Sequence, residues 1–183
     1  MSNEWESFCF NNRIREIYEN CSIQSLPQSV FNLAQEWLKN PKSMILFGAC
    51  GSGKTYFMMC LMKELTMKGL VSKISFKKSR RLAQEIDKYL FFEKDLTKLT
   101  DEIFSCDYFF LDNLGVEKEC ENVETEFMEI IDDRNQGVKK IKYTMITTNL
   151  SPQKIEMTYG SRFLSRLKRY EWVEFCGEDR RGQ

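Results

Sequence analysis

From Ser29 to Asn40 the apolar residues Val30, Ala34, Trp37 and Leu38 return at helical spacing, and Pro41 closes the run. The next segment changes period. Met44 to Phe47 is a short unbroken apolar run that predicts a buried strand, directly ahead of a glycine-rich loop. Lys54 to Lys68 returns to helical spacing, with Phe57, Leu61 and Leu65 on one face and Gly69 as the stop. Val71 to Phe76 predicts a strand, and Ser79 to Leu90 a helix with the serine as its cap. Leu96 to Ser105 carries the pattern of a further helix. Tyr108 to Leu111 reads as an apolar strand ending at Asp112, and Val123 to Asn135 as a helix offering Phe127, Ile130 and Ile131 to a core. Ile141 to Thr147 predicts a strand, Tyr159 to Lys168 a short basic helix, and Trp172 to Phe175 a last strand. Alternation of strands and helices over short connections predicts an α/β fold, its mostly parallel sheet covered on both faces.

Composition narrows the setting. A chain of 183 residues suits a single domain over 1–183, with residues 1–40 forming a lead-in and helix packed on it. No apolar run reaches the roughly 18 residues of a membrane span. MSNEWESFC has neither the basic start nor the apolar run of a signal peptide, so a cytoplasmic protein without membrane contact is expected. The cysteines, Cys9, Cys21, Cys50, Cys60, Cys106, Cys120 and Cys176, form no CxxC pair, and histidine is absent. Reduced thiols fit better than disulfides or a zinc site, and Ser-His or Cys-His nucleophilic catalysis is excluded. Net charge is formally zero but segregated. Residues 63–88 and 134–171 are basic, while residues 93–133 hold fourteen acids against three bases. Such sorting suits contact between subunits or with nucleic acid, unless folding remixes it over the surface.

The chemistry concentrates in Gly48-Ala49-Cys50-Gly51-Ser52-Gly53-Lys54-Thr55, a full match to GxxxxGK[ST] with a strand before it and a helix after it. Glycines let the backbone turn its amides toward phosphate oxygens, at a helix N-terminus that favours negative charge. Lys54 reaches the β- and γ-phosphates, the Thr55 hydroxyl ligates magnesium, and Tyr56 adjoins the nucleotide. Asp112, at the tip of an apolar strand, is the expected magnesium carboxylate. Asn149, closing Thr147-Thr148-Asn149, either orients the attacking water and senses the γ-phosphate or simply turns the chain before Ser151-Pro152. Arg162 and Arg166 lie four apart, placing them on one helix face as candidate arginine fingers or as a solvated basic helix. Lys73, Lys77, Lys78, Arg80 and Arg81 surround Phe76, a candidate single-stranded DNA contact in which the ring stacks a base; the alternative puts Phe76 in the core.

In order, RIREIYENCSI, GACGSGKT, FFLDNLG, MITTNL, YGSRFLSRL and VEFCGEDRR span Arg13 to Arg181. They resemble the AAA+ ATPases of bacterial replicative helicase loaders and their relatives, the helper ATPases of IS21-type transposons. The resemblance implies a P-loop NTPase fold, a three-layer AAA+ sandwich without the C-terminal helical lid. ATP and Mg2+ are the implied cofactors. It makes Lys54 and Thr55 the Walker A pair, Asp112 the Walker B carboxylate and Asn149 sensor 1. Arg166 or Arg162 is the implied arginine finger, and Arg181, beside Arg180, sensor 2. It also implies self-association with ATP between subunits, and delivery of a replicative helicase onto single-stranded DNA.

Two departures qualify it. Relatives carry a second acid after the Walker B aspartate, where this chain has Asn113. An amide orients water but does not readily take its proton, so binding with slow or conditional hydrolysis is expected, Glu117 and Glu119 being the nearest substitutes. Loaders also carry a separate helicase-gripping region, and about 40 residues precede the loop here. The alternatives are a transposition helper on duplex DNA, a non-catalytic module that binds or inhibits a host helicase or loader, and, remotely, a small-molecule kinase.

Overall fold

A computed structural model describes residues 2–92, 97–117, 123–136 and 142–176. Among the described residues five strands, β1 (Met44–Phe47), β2 (Ile74–Lys78), β3 (Tyr108–Leu114), β4 (Tyr143–Thr148) and β5 (Glu171–Glu174), form one sheet in the order β2-β3-β4-β1-β5. Every pairing is parallel. Parallel strands demand crossover connections, and helices supply them on both faces.

The two faces follow the strand period of two. Met44, Leu46, Phe76, Phe110 and Met145 point into one core, beneath α1 (Ser2–Asn11), α2 (Gln28–Lys39) and α3 (Lys54–Met67). Ile45, Phe109, Leu111 and Ile146 point into the other. That second core is covered by α4 (Ser79–Phe91), α5 (Thr97–Ser105), α6 (Val123–Gln136) and α7 (Pro152–Leu167). The result is the expected three-layer α/β sandwich, with a continuous apolar core on each side of the sheet.

Several boundaries differ from the sequence expectation, each for a local reason. Residues 2–11 form α1, which the lead-in reading passed over; Trp5, Phe8 and Cys9 are buried, and the Trp5 indole donates to Glu19 O at 3.1 Å. Val71–Lys73 is a 3-10 turn, and the strand begins only at Ile74. Ser79 does not cap α4: Lys78 occupies that position, and the Ser79 hydroxyl points to Glu117 instead. α7 starts at Pro152, seven residues before the expected Tyr159. Ser151 caps it by accepting from Lys154 N, and Pro152 has no amide to leave unpaired there. Gly160, at φ 80° and ψ 164°, breaks α7 into two halves, which concealed its first half in the sequence. Part of the strand expected from Ile141 falls outside the described residues, and β4 runs from Tyr143.

A buried arginine braces the second core. Arg134 donates to the carbonyls of Ile103, Cys106, Asp107 and Tyr143 and to the Thr144 hydroxyl, and its guanidinium lies 5.4 Å from the Phe109 ring centroid. Burial holds its pKa below the usual arginine range. Its charge is solvated by protein oxygens, and α5, α6, β3 and β4 meet around it.

Candidate nucleotide site

The site lies at the C-terminal edge of three adjacent strands, β3, β4 and β1. From β1 the chain enters the glycine loop, whose Gly48, Gly51 and Gly53 have φ of 136°, 81° and 96°. These left-handed values require glycine. At Gly48 a side chain would also collide with the carbonyl oxygen of Phe175, just past β5. The loop delivers Lys54 to the first turn of α3, where it is 4% exposed. Its ammonium donates to the carbonyls of Gly48 at 2.8 Å and Ala49 at 2.6 Å, and to the Ser52 hydroxyl at 3.2 Å. Those oxygens stand where phosphate oxygens would compete for the same cation. Cys50 is exposed on the loop, and the Tyr56 hydroxyl shares a 2.7 Å hydrogen bond with Ser25, tying the loop helix to the lead-in.

β3 contributes Asp112 through an irregularity. Leu111 pairs with Ile146 and Leu114 with Thr148, so β3 spends three steps where β4 takes two. This bulge re-aims the strand tip. Asn113 takes up the extra residue with φ 63°, a left-handed value that asparagine tolerates, and its backbone N–H donates to Thr147 Oγ1 at 2.8 Å. Asp112 is 3% exposed, and its Oδ1 accepts from Thr55 Oγ1 at 2.8 Å and Thr147 Oγ1 at 2.7 Å. The Thr55 hydroxyl and the Asp112 carboxylate therefore form a pair of hard oxygens beside the lysine, a donor set suited to Mg2+.

Asn113 and Asn149 are both exposed at this edge, one at each strand tip. Glu117 is elsewhere engaged. It is 4% exposed, and its carboxylate accepts from Ser79 Oγ, from Tyr159 OH and from Gly115 N at 3.0 and 3.1 Å. Burial raises its pKa, against the Ser79 and Gly115 hydrogen bonds. Thr147 and Glu117 are the two side chains here to which sequence reasoning gave no such part. Glu119, Arg180 and Arg181 lie outside the described residues.

The two arginines of α7 part company. Arg162 is exposed, two residues past the Gly160 break. Arg166 is committed within its own chain, donating from Nε to Asp132 at 2.7 Å and from a terminal nitrogen to the Arg162 carbonyl at 2.9 Å. The basic cluster is also dispersed. Phe76 is 3% exposed in the core and offers no face to a base, which corrects the stacking expectation. Lys73 pairs with Asp107 at 3.7 Å, Lys77 with Glu102 at 3.0 Å and Arg81 with Glu85 at 3.3 Å. Lys78 reaches the Arg13 carbonyl at 3.4 Å, and Arg80 is exposed.

A parallel sheet with a glycine loop after its first strand and a carboxylate at the tip of β3 defines a P-loop nucleotide-binding fold. Solved structures share the architecture. AMPPCP-bound DnaA from Aquifex aeolicus superposes with a TM-score of 0.71 at 18% identity, covering 85% of this chain and 50% of that one. The DnaC helicase loader gives 0.73 at 20% identity, covering 88% and 100%. Domain III of the Thermotoga maritima replication initiation protein DnaA gives 0.74 at 17%, covering 90% and 69%. The chain thus spans half the length of the Aquifex structure, and at these identities the likeness establishes the fold. No curated protein matches the sequence. The chain belongs to the IstB-like ATP binding protein family, whose model matches residues 12–167. ATP binding follows from that membership, and the loop, lysine and oxygen pair fit a magnesium-bound triphosphate. Among the described residues no helix is long and apolar enough to cross a membrane.

Proposed function

We propose that this protein is a helicase-loader-like AAA+ domain in DNA replication that holds ATP at a subunit boundary and hydrolyses it slowly or conditionally. The observation that carries this reading is Asn113. It occupies the bulge next to Asp112 where a general base would act, and the next described acid after it in the chain, Glu117, has its carboxylate filled by three donors. Magnesium-ATP would supply the triphosphate charge that holds neighbouring subunits together. Loop amides and Lys54 bind that charge, Thr55 and Asp112 hold the metal, and Asn113 and Asn149 orient water without taking its proton. Arg162 is the arginine available to a neighbour's site, because Arg166 is tied to Asp132. Arg181 remains the proposed sensor 2.

The proposed partners are a replicative helicase and single-stranded DNA. The test is capture of the replicative helicase on immobilised protein with a slowly hydrolysed ATP analogue and single-stranded DNA. No capture in the presence of nucleotide sinks the loader reading. The family match supports a second reading, a transposition helper ATPase. Preference for duplex over single-stranded DNA in a salt series would favour it.

A further inference from the structure

The carboxylate of Glu117 joins three elements that meet behind the phosphate site. Gly115 N donates to both of its oxygens from the turn that follows Asp112 and Asn113. Ser79 Oγ donates from the first residue of α4, next to Lys78, which pairs in register with Asp112. Tyr159 OH donates from the last residue of α7 before the Gly160 break. The Tyr159 ring then stacks on Phe163 across that break, centroids 4.7 Å apart, and Phe163 adjoins the exposed Arg162.

The turn itself has little room to move without its neighbours. A side chain at Gly115 would lie 2.6 Å from Leu150, and Thr148 Oγ1 donates to Leu114 O at 2.8 Å. A buried carboxylate with each donor satisfied resists separation of those donors, since any one left unpaired costs its full desolvation. Displacement of the Asp112–Gly115 turn is therefore passed to Tyr159. The non-helical Gly160 is the joint at which the far half of α7, packed through Phe163 and Leu167, would adjust in response.

We propose that Glu117 is a positioning residue, linking the phosphate site through Gly115 and Tyr159 to the arginine-bearing half of α7. The proposal deepens the subunit-boundary reading and rests on it for the role of Arg162.

The test uses the full chain, its Glu117→Gln and Tyr159→Phe variants and the double variant. Hydrogen exchange is followed in α7 at concentrations too dilute for association, with and without an ATP analogue. ATP slows exchange at residues 161–167 at least tenfold in the wild type, and this response is lost in both single variants and no further in the double. Analogue affinity changes less than threefold in all of them. Tyr159→Phe keeps the ring stacking, so it carries the test if Glu117→Gln unfolds. An α7 response that is absent from the wild type, or intact in Tyr159→Phe, overturns the proposal, as does parallel loss of nucleotide affinity. Sedimentation at high concentration reads the other claim separately: a wild type that stays monomeric with ATP refutes the subunit boundary, while exchange still decides Glu117.

Discussion

Thr55 Oγ1 donates to Asp112 Oδ1 at 2.8 Å across a separation of 57 residues, and the bond spans the two halves of the expected metal site. It joins the first turn of α3 to the tip of β3 over the end of the intervening strand β4. Replacing Asp112 with Asn keeps the shape and removes the charge. Titration of a fluorescent ATP analogue with magnesium and with EDTA should show the magnesium-dependent gain in affinity falling at least tenfold, about 1.4 kcal/mol. Binding in EDTA should change little. A variant that keeps the full magnesium gain would remove Asp112 from the ligand set.

Asn113→Asp places an acid in the bulge beside Asp112. Aspartate accepts the left-handed φ of 63° much as asparagine does, which makes it a better choice than the longer glutamate. A general base contributes about 10²–10⁴-fold, so steady-state phosphate release should rise at least tenfold with nucleotide affinity unchanged. Equal turnover in the two proteins would refute slow hydrolysis through loss of the base.

Gly48→Ala combines a left-handed backbone with a collision against the Phe175 carbonyl. Loss of about 3 kcal/mol is expected, from backbone strain and overpacking together, which lowers the Tm by about 6–12 °C for a domain of this size. Nucleotide-free thermal melts measure it, so a variant that melts with the wild type would show that the two segments separate freely.

Thiol chemistry should divide by burial. Cys50 and Cys176 are exposed, whereas Cys9, Cys21, Cys60 and Cys106 are buried. Burial pushes the Cys9 thiol up to about 12 and raises Cys106, and Cys60 is raised by its hydrogen bond with Cys21 and by burial. The thiolate is the reactive form. Mass mapping after brief alkylation should find Cys50 and Cys176 labelled ahead of Cys9, Cys60 and Cys106, while Cys21, lowered by its hydrogen bond with Cys60, is shielded by burial alone, and an ATP analogue should slow Cys50. Labelling of Cys9 in the folded protein at a comparable rate would contradict the packing of α1.

Glu117 also predicts a pH dependence. Its folded pKa is raised, so the folded protein holds that proton more tightly than the unfolded chain does. The resulting stability is present below the unfolded pKa and is lost as pH rises through the folded one. Urea midpoints of wild type and Glu117→Gln, compared from about pH 4.5 upward, should show the wild type gaining on the variant toward acid. A gain toward alkaline pH would reverse the sign and place ionised Glu117 in a favourable field.

The parts of the site carried by contiguous residues were legible in the sequence. The loop, Lys54 and Thr55 announce themselves because strand, turn and helix follow one another without interruption, and Asp112 because it closes an unbroken apolar run. What depends on pairing between distant strands was not legible. The bulge exists only because β3 and β4 advance at different rates past each other, and that mismatch brings Thr147 to Asp112. Glu117 read as a loop acid, since its donors come from Ser79 and Tyr159, far off in the chain. Phe76 sat among basic residues in sequence, yet the alternation of β2 turned it inward. Arg162 and Arg166 shared a spacing, but only the approach of α6 through Asp132 distinguishes them.

The backbone at position 113 has a consequence for how such a protein changes over generations. Codons for asparagine and aspartate differ by one base, and the bulge accepts either side chain. On the proposed reading, one base change would turn a protein that keeps its nucleotide into one that turns it over, without rebuilding the sheet, the loop or the Thr55–Asp112 pair. Selection on this surface would act through a single reversible letter.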